Sequence, residues 1–223
     1  MGKRAILISL EDISFGYNST RDVLRKLRFT FSEGDRVGLT GPNGSGKTTL
    51  FHVIMGLLKP KTGEIEIFGK RMHDEADYRE VRERIGLLFQ DANDQLFCPT
   101  VAEDIAFGPL NLGKKHDEAL KIVREALKTL GLIGFEDRVT YKLSGGEKKL
   151  VSLATVLAMK PEVLLLDEPT SGLDEETTER IIQVLNHSST SYMIISQDRG
   201  LLARTTRCIY RMANGKLEEL REF

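Results

Sequence analysis

Glycines at 41, 44 and 46, followed at once by Lys47, Thr48 and Thr49, constrain this chain more than any other feature in it. The run Gly41-Pro42-Asn43-Gly44-Ser45-Gly46-Lys47-Thr48-Thr49 fills every fixed position of G-x-x-x-x-G-K-[ST]. Glycine lets the backbone curl tightly enough to turn successive N–H groups inward. Lys47 adds a positive charge to that curl, and Thr48 adds a hydroxyl at the mouth of a helix. Such a loop cradles the β- and γ-phosphates of a nucleotide with its magnesium ion. Lys47 is expected to reach those two phosphates, Thr48 to coordinate magnesium, and Thr49 to hydrogen-bond the α-phosphate. The context agrees, because Arg36–Thr40 reads as a short strand and helix formers run from about Gly46 to Leu57.

The second half of such a site follows an apolar strand, Val163-Leu164-Leu165-Leu166, that runs into Asp167-Glu168-Pro169. A strand apolar on both faces is a parallel strand covered by helices, and its carboxyl end lies next to the phosphate loop. Asp167 is then placed to bind magnesium through water. Glu168, one residue later, faces the γ-phosphate as a general base for the attacking water. Gln90 ends another apolar strand, Ile85–Phe89, and its uncharged amide suits contact with magnesium or the lytic water. Tyr17 is a candidate to stack on adenine, or an ordinary surface tyrosine.

Around these points the pattern alternates. Strands are expected at 5–10, 27–31, 64–69, 191–196 and 207–212, with a turn at Asn18-Ser19-Thr20 and a tight turn at Asn214-Gly215. Helices are expected from Thr100, over Lys114–Leu130, from Ser144 to about Met159, and at 175–186 and 199–203. Thr100/Glu103 and Ser144/Glu147 both have capping-box spacing. The result is an α/β sheet core with a helical segment, about 90–158, inserted between two core strands. At 223 residues the chain forms one large domain. A net charge of -1 gives no broad positive field for nucleic acid. No apolar run reaches the ~20 residues a bilayer crossing needs, and the segment after Met1 is too short for a signal peptide. Cys98 and Cys208, far apart and without metal-ligand spacing, read as two buried thiols in a reducing compartment.

Leu143-Ser144-Gly145-Gly146-Glu147 closely resembles the signature sequence of ATP-binding-cassette (ABC) ATPases, with glutamate where glutamine is more usual. Ser171-Gly172-Leu173-Asp174 is similar to that family's D-loop. The resemblance runs from Tyr17 to about Gly215. It implies a P-loop NTPase fold of ABC type: a mostly parallel core sheet, N-terminal antiparallel strands and a helical insert. The core would comprise residues 1–89 and 159–223, and residues 90–158 would form the Gln90 loop and a helical subdomain ending in the signature helix. Ser144 and two glycine N–H groups at a helix N-terminus make a second anion site. It is explained if it serves ATP bound to another copy, so that two subunits pair head to tail around two ATP molecules. Ser144, Gly145, Gly146, Glu147 and Asp174 then belong to the nucleotide site of the pair, and hydrolysis lets the pair open.

The stretch from Phe89-Gln90-Asp91-Ala92-Asn93-Asp94-Gln95-Leu96-Phe97-Cys98-Pro99 through Glu103 to Pro109 strongly resembles the ATPases of energy-coupling-factor importers, including the cobalt and nickel group. This resemblance implies several partners: a second ABC ATPase subunit or a second copy, a transmembrane coupling subunit, and a small substrate-binding membrane protein. Phe97, Pro99, Phe107 and Pro109 would offer apolar contacts to the coupling subunit, or else fill the core of the insert. The implied place of work is the cytoplasmic face of the membrane, with import of a transition metal ion or a vitamin. Two other readings stay open, a soluble cassette ATPase acting on nucleic acid or ribosomes and a regulatory subunit that binds ATP but scarcely hydrolyses it.

Two departures from the family pattern matter. Little chain follows Gly215, so without nucleotide the protein is expected to be a monomer. And where the family has a histidine after the last core strand, this chain has Gln197-Asp198. Gln197 can donate to the γ-phosphate but cannot become a cation. Donors that grip developing charge are worth about 2–4 kcal/mol, and loss of charge assistance cuts into that. Gln197→His is therefore predicted to raise steady-state ATP turnover; an unchanged rate contradicts the assignment.

Overall fold

The computed structural model describes residues 4–18 and 21–220. In chain order the elements are β1 (Ile6–Phe15), β2 (Leu24–Ser32), β3 (Arg36–Thr40), α1 (Lys47–Ile54), β4 (Thr62–Ile67), β5 (Lys70–Arg71), α2 (Glu75–Arg84) and β6 (Ile85–Leu88). There follow α3 (Val101–Asn111), α4 (His116–Thr129), α5 (Gly145–Ala158), β7 (Val163–Asp167), α6 (Glu175–His187), β8 (Ser191–Ile195), α7 (Arg199–Thr205), β9 (Cys208–Ala213) and β10 (Lys216–Leu220). Most of the expected turn at Asn18-Ser19-Thr20 lies outside the described residues.

The strands form two sheets. One is antiparallel, in the order β2-β1-β4-β5; the other runs β10-β9-β3-β8-β7-β6 and is parallel except for β10. Strands β7 and β8 are neighbours inside the second sheet, and every residue in them is buried. Their side chains alternate between two cores, as strand geometry requires. Val163, Leu165, Met193 and Ile195 pack with α1 and the antiparallel sheet. Leu164, Leu166, Tyr192 and Ile194 pack on the other face with α3, α4, α5 and α6. Each fully buried side chain of this kind stabilises the fold by about 1.5–3 kcal/mol. Between the paired parallel strands β6 and β7 the chain makes the excursion α3–α4–α5, three helices in mutual contact. Both capping boxes are present, at Thr100/Glu103 and Ser144/Glu147.

Three elements add to the sequence-based outline. α2 has one buried residue, Val81, so it shows no hydrophobic period; it is started instead by a capping box of Asp74 with Asp77. β10 extends the Asn214-Gly215 turn, where both residues have positive φ (52° and 77°), into a hairpin with β9. β5 is a two-residue edge strand on β4. One expectation needs correction: Cys98 and Cys208 are free but only partly buried. Cys98 lies in an irregular loop rather than in a core, although burial as its first cause still pushes its thiol up to about 11.

The chain leaves α1 through Gly56 at φ +68°, where an added Cβ would lie 2.3 Å from the Tyr78 ring of α2. Backbone strain and overlap act together there. Gly56→Ala is predicted to cost about 1–3 kcal/mol, read as a lower urea midpoint at unchanged m-value.

Candidate active site

The loop between β3 and α1 has the curled form its sequence demands, with φ of 142° at Gly41, 73° at Gly44 and 108° at Gly46. At Gly41 an added Cβ would also stand 2.4 Å from the Met212 carbonyl of β9, so the loop is held tightly against the sheet. Lys47 is buried, and its ammonium donates to the carbonyls of Gly41 (2.8 Å) and Pro42 (3.0 Å). Burial lowers its pKa, against the pull of Glu168 and Asp167.

Thr48 Oγ1 donates to Asp167 Oδ2 at 2.6 Å, so the hydroxyl of the loop and the carboxylate at the end of β7 meet directly. Asp167 is buried; burial raises its pKa, while the Thr48 bond and Lys149 oppose the shift. Glu168 turns out of the strand in a left-handed conformation (φ 47°), with its N–H donating to the Ile195 carbonyl at 3.0 Å. Burial first, then Asp167, raises its pKa. Gln197 reaches the same loop, its Nε2 donating to the Gly41 carbonyl at 2.5 Å. A cavity of about 660 Å³ is lined by Thr48, Gln90, Asp167 and Gly145 among others. Gln90 is exposed at its mouth. A hydroxyl and a carboxylate oxygen brought together are the hard donors a magnesium ion takes. Tyr17 stands beside the loop: its hydroxyl is 3.1 Å from Thr49 Oγ1, its ring meets Phe15 edge-on at 5.1 Å, and it is largely exposed. Pro42, Asn43 and Gly44 are exposed, and Ser45 is half-buried with an unpartnered hydroxyl.

Ser144 and Glu147 cap α5 reciprocally: Ser144 Oγ accepts from the Glu147 N–H (3.3 Å), and Glu147 Oε2 accepts from the Ser144 N–H (2.8 Å). That bond, with Arg138 at 2.9 Å, holds the Glu147 carboxyl below its usual range. The adjacent glycines behave differently from those of the phosphate loop. A Cβ on Gly145 would meet nothing within 4 Å, and one on Gly146 only Leu173 at 3.6 Å; neither has a positive φ. This chain's own packing therefore does not require them, and they leave the helix N-terminus bare toward the outside. No hydrogen bond joins Ser144–Glu147 to Gly41–Thr49 among the described residues. Asp174 caps α6, its carboxylate accepting from the Thr177 N–H (2.8 Å) and hydroxyl (3.0 Å).

A family model described as ABC transporter matches residues 24–171. The chain belongs to the ABC transporter family. It is 42% identical over 215 residues to the energy-coupling factor transporter ATP-binding protein EcfA of Methanothermobacter thermautotrophicus, covering 95% of this chain and 69% of the relative. Its fold is similar to that of cbiO1 from Clostridium perfringens, part of the ABC transporter complex cbiONQ (TM-score 0.84, 32% identity, 96% of this chain and 87% of that one). It also resembles a dimeric ATP-binding cassette in a post-hydrolysis state bound to ADP and Pi (TM-score 0.88, 27% identity, 97% and 100%). The protein is thus an ABC ATPase, with a nucleotide-binding phosphate loop and an ATP-hydrolysing fold. No helix among the described residues is long and apolar enough to cross a membrane.

Residues that sequence reasoning passed over are Lys149 and Gln95, which bond the Gln90 loop to α5. The buried face of an amphipathic helix normally holds apolar residues, and a lysine there leaves no sequence signal of its own. Because Gly146 is not demanded by packing, Gly146→Ala is predicted to leave stability equal or raise it by about 0.5–1 kcal/mol. The same variant should lower ATP turnover at least severalfold. Urea unfolding and a phosphate-release assay check the two halves.

Proposed function

We propose that this ABC ATPase supplies the energy for a membrane importer of the energy-coupling-factor kind, carrying a transition metal ion such as cobalt or nickel, or a vitamin. Two subunits, two copies of this chain or one with a related ATPase, close head to tail around two ATP molecules. Lys47 and the N–H groups of Gly41–Thr49 hold the phosphates, Tyr17 stacks on adenine, and the start of α5 with Asp174 serves the nucleotide of the facing subunit. Thr48, Asp167 and Gln90 would hold Mg2+, which supplies charge neutralisation on the β- and γ-phosphates. Glu168 accepts a proton from water as its oxygen attacks the γ-phosphorus. The bond from γ-phosphorus to the bridging oxygen breaks and ADP leaves. Gln197 and Lys47 stabilise the charge that develops. Hydrolysis removes the group that both subunits grip, and the pair opens.

The observation that carries the transport reading is an exposed aromatic pair. Phe97 and Phe107 meet edge-on at 4.8 Å while 66% and 48% exposed, and they line a groove of about 310 Å³ with Leu57 of the turn after α1. Exposed apolar patches of this kind mark interaction sites. Of the other two residues expected there, Pro99 is exposed, whereas Pro109 is buried inside α3 and belongs to the core. A helix of a membrane subunit fits such a groove. The test is co-purification from detergent-solubilised membranes. A multi-spanning scaffold and a small binding subunit are expected with the wild-type protein and lost with Phe97→Asp, while ATP turnover of the isolated subunit persists. Capture of ribosomes or nucleic acid instead would favour the soluble alternative.

A further inference from the structure

Lys149 sits on the inner face of α5 and is 5% exposed. Its ammonium donates to the carbonyl oxygens of Gln90 (2.6 Å) and Phe89 (3.3 Å), and no carboxylate bonds to it among the described residues. Gln95 completes the arrangement from the other side. Its Oε1 accepts from the Phe89 N–H (3.1 Å), and its Nε2 donates to the Ser152 carbonyl (2.9 Å) and Thr155 Oγ1 (2.8 Å) of α5. Further along the loop, Lys148 Nζ donates to Asn93 Oδ1 at 2.8 Å. The Phe89 N–H and the carbonyls of Phe89 and Gln90 are therefore tied to α5 through the side chains of Gln95 and Lys149.

A buried lysine is a costly way to fill space, since an apolar side chain of similar length needs no desolvation of charge. Burial does depress the Lys149 pKa, against the fields of Asp167, Asp91 and Glu168. What the cation adds is direction. It fixes which way the Phe89 and Gln90 carbonyls point, and so where the Gln90 side chain leaves the backbone. The helix that carries it begins at Ser144–Gly145, roughly 7 Å away at 1.5 Å per residue, with no flexible joint between.

We propose that Lys149 and Gln95 are positioning residues that make the Gln90 loop and the bare N-terminus of α5 move as one piece, coupling the two nucleotide sites of a subunit pair. The proposal rests on the head-to-tail pairing proposed above for this ABC ATPase. In that pair the start of α5 meets the facing subunit's nucleotide, whereas Gln90 meets the chain's own. Filling one site then alters the geometry of the other, and the two sites cooperate.

The experiment is steady-state hydrolysis against ATP concentration for the wild type, Lys149→Met, Gln95→Met and Lys149→Arg, with thermal unfolding of each. The wild type is expected to give a Hill coefficient above one. Both Met variants, at near-native melting temperature, bring it to one and lower kcat roughly tenfold, as misplacing a positioned group does, with KM changed less. Lys149→Arg keeps a cation and keeps the cooperativity. A wild-type coefficient of one overturns the proposal. So does a Met variant that folds and retains the wild-type coefficient, with Gln95→Met deciding if Lys149→Met does not fold. Sizing with ATP separates the two levels: if two copies of this chain do not pair, the wild type stays a monomer, whereas if only the coupling is wrong, wild type and variants dimerise alike.

Discussion

Four charged groups share the edge of the central sheet, and the rest of the site is arranged around keeping them apart. Lys47 and Lys149 are buried cations, Asp167 is a buried carboxylate and Glu168 a half-buried one. Isolated, each would cost several kcal/mol to desolvate. Yet no direct ion pair joins any two of them among the described residues. Each lysine is satisfied by a pair of carbonyls, and Asp167 by the Thr48 hydroxyl. Opposite charges held near but uncancelled leave Lys47 able to meet a polyanion and Asp167 a cation. A fused Lys47–Asp167 ion pair would have to be broken first.

The fold makes that spacing possible. Strands β3 and β7 are separated by β8, so the phosphate loop and the Asp167–Glu168 pair lie two strand positions apart. Neighbouring strands lie about 4.8 Å apart, so the ends of β3 and β7 are separated by roughly 10 Å, and the Thr48 hydroxyl reaches from the loop to Asp167. Central strands with both faces buried fix this distance, because Val163–Leu166 and Tyr192–Ile195 are locked into two separate cores. The apolar runs that looked like a fold signature in the sequence are thus what sets the geometry of the chemistry.

Most of the candidate site was legible because its residues are adjacent in sequence and its geometry needs particular types: glycine for positive φ at 41, 44 and 46, a hydroxyl at 48, a carboxylate where an apolar strand ends. Capping boxes at Thr100 and Ser144 were legible for the same reason. α2 was not, since a helix with a single buried residue writes no period, and its cap used Asp77 where glutamate or glutamine is the familiar sign. β10 was hidden behind its own turn. Lys149 and Gln95 were invisible for a deeper reason: their meaning lies in carbonyls about 60 positions away in the chain, and a carbonyl is present at every residue.

Gln197 shows how far residue type limits an inference and where geometry extends it. From its chemistry it can donate but cannot carry charge. In the fold its amide is bonded to the Gly41 carbonyl, the same oxygen that receives the Lys47 ammonium at 2.8 Å. Two donors converge on one acceptor, so the segment after β8 and the phosphate loop are joined at the loop's first glycine. An imidazole at this position has one donor for the same carbonyl, and its second nitrogen donates to a phosphate only once the ring is protonated. A primary amide can also divide its two N–H groups between them, but it has no means of gaining a proton as charge builds. Glutamine at this position therefore makes the same bond to the loop that an imidazole would, and lacks the charge that an imidazole can gain.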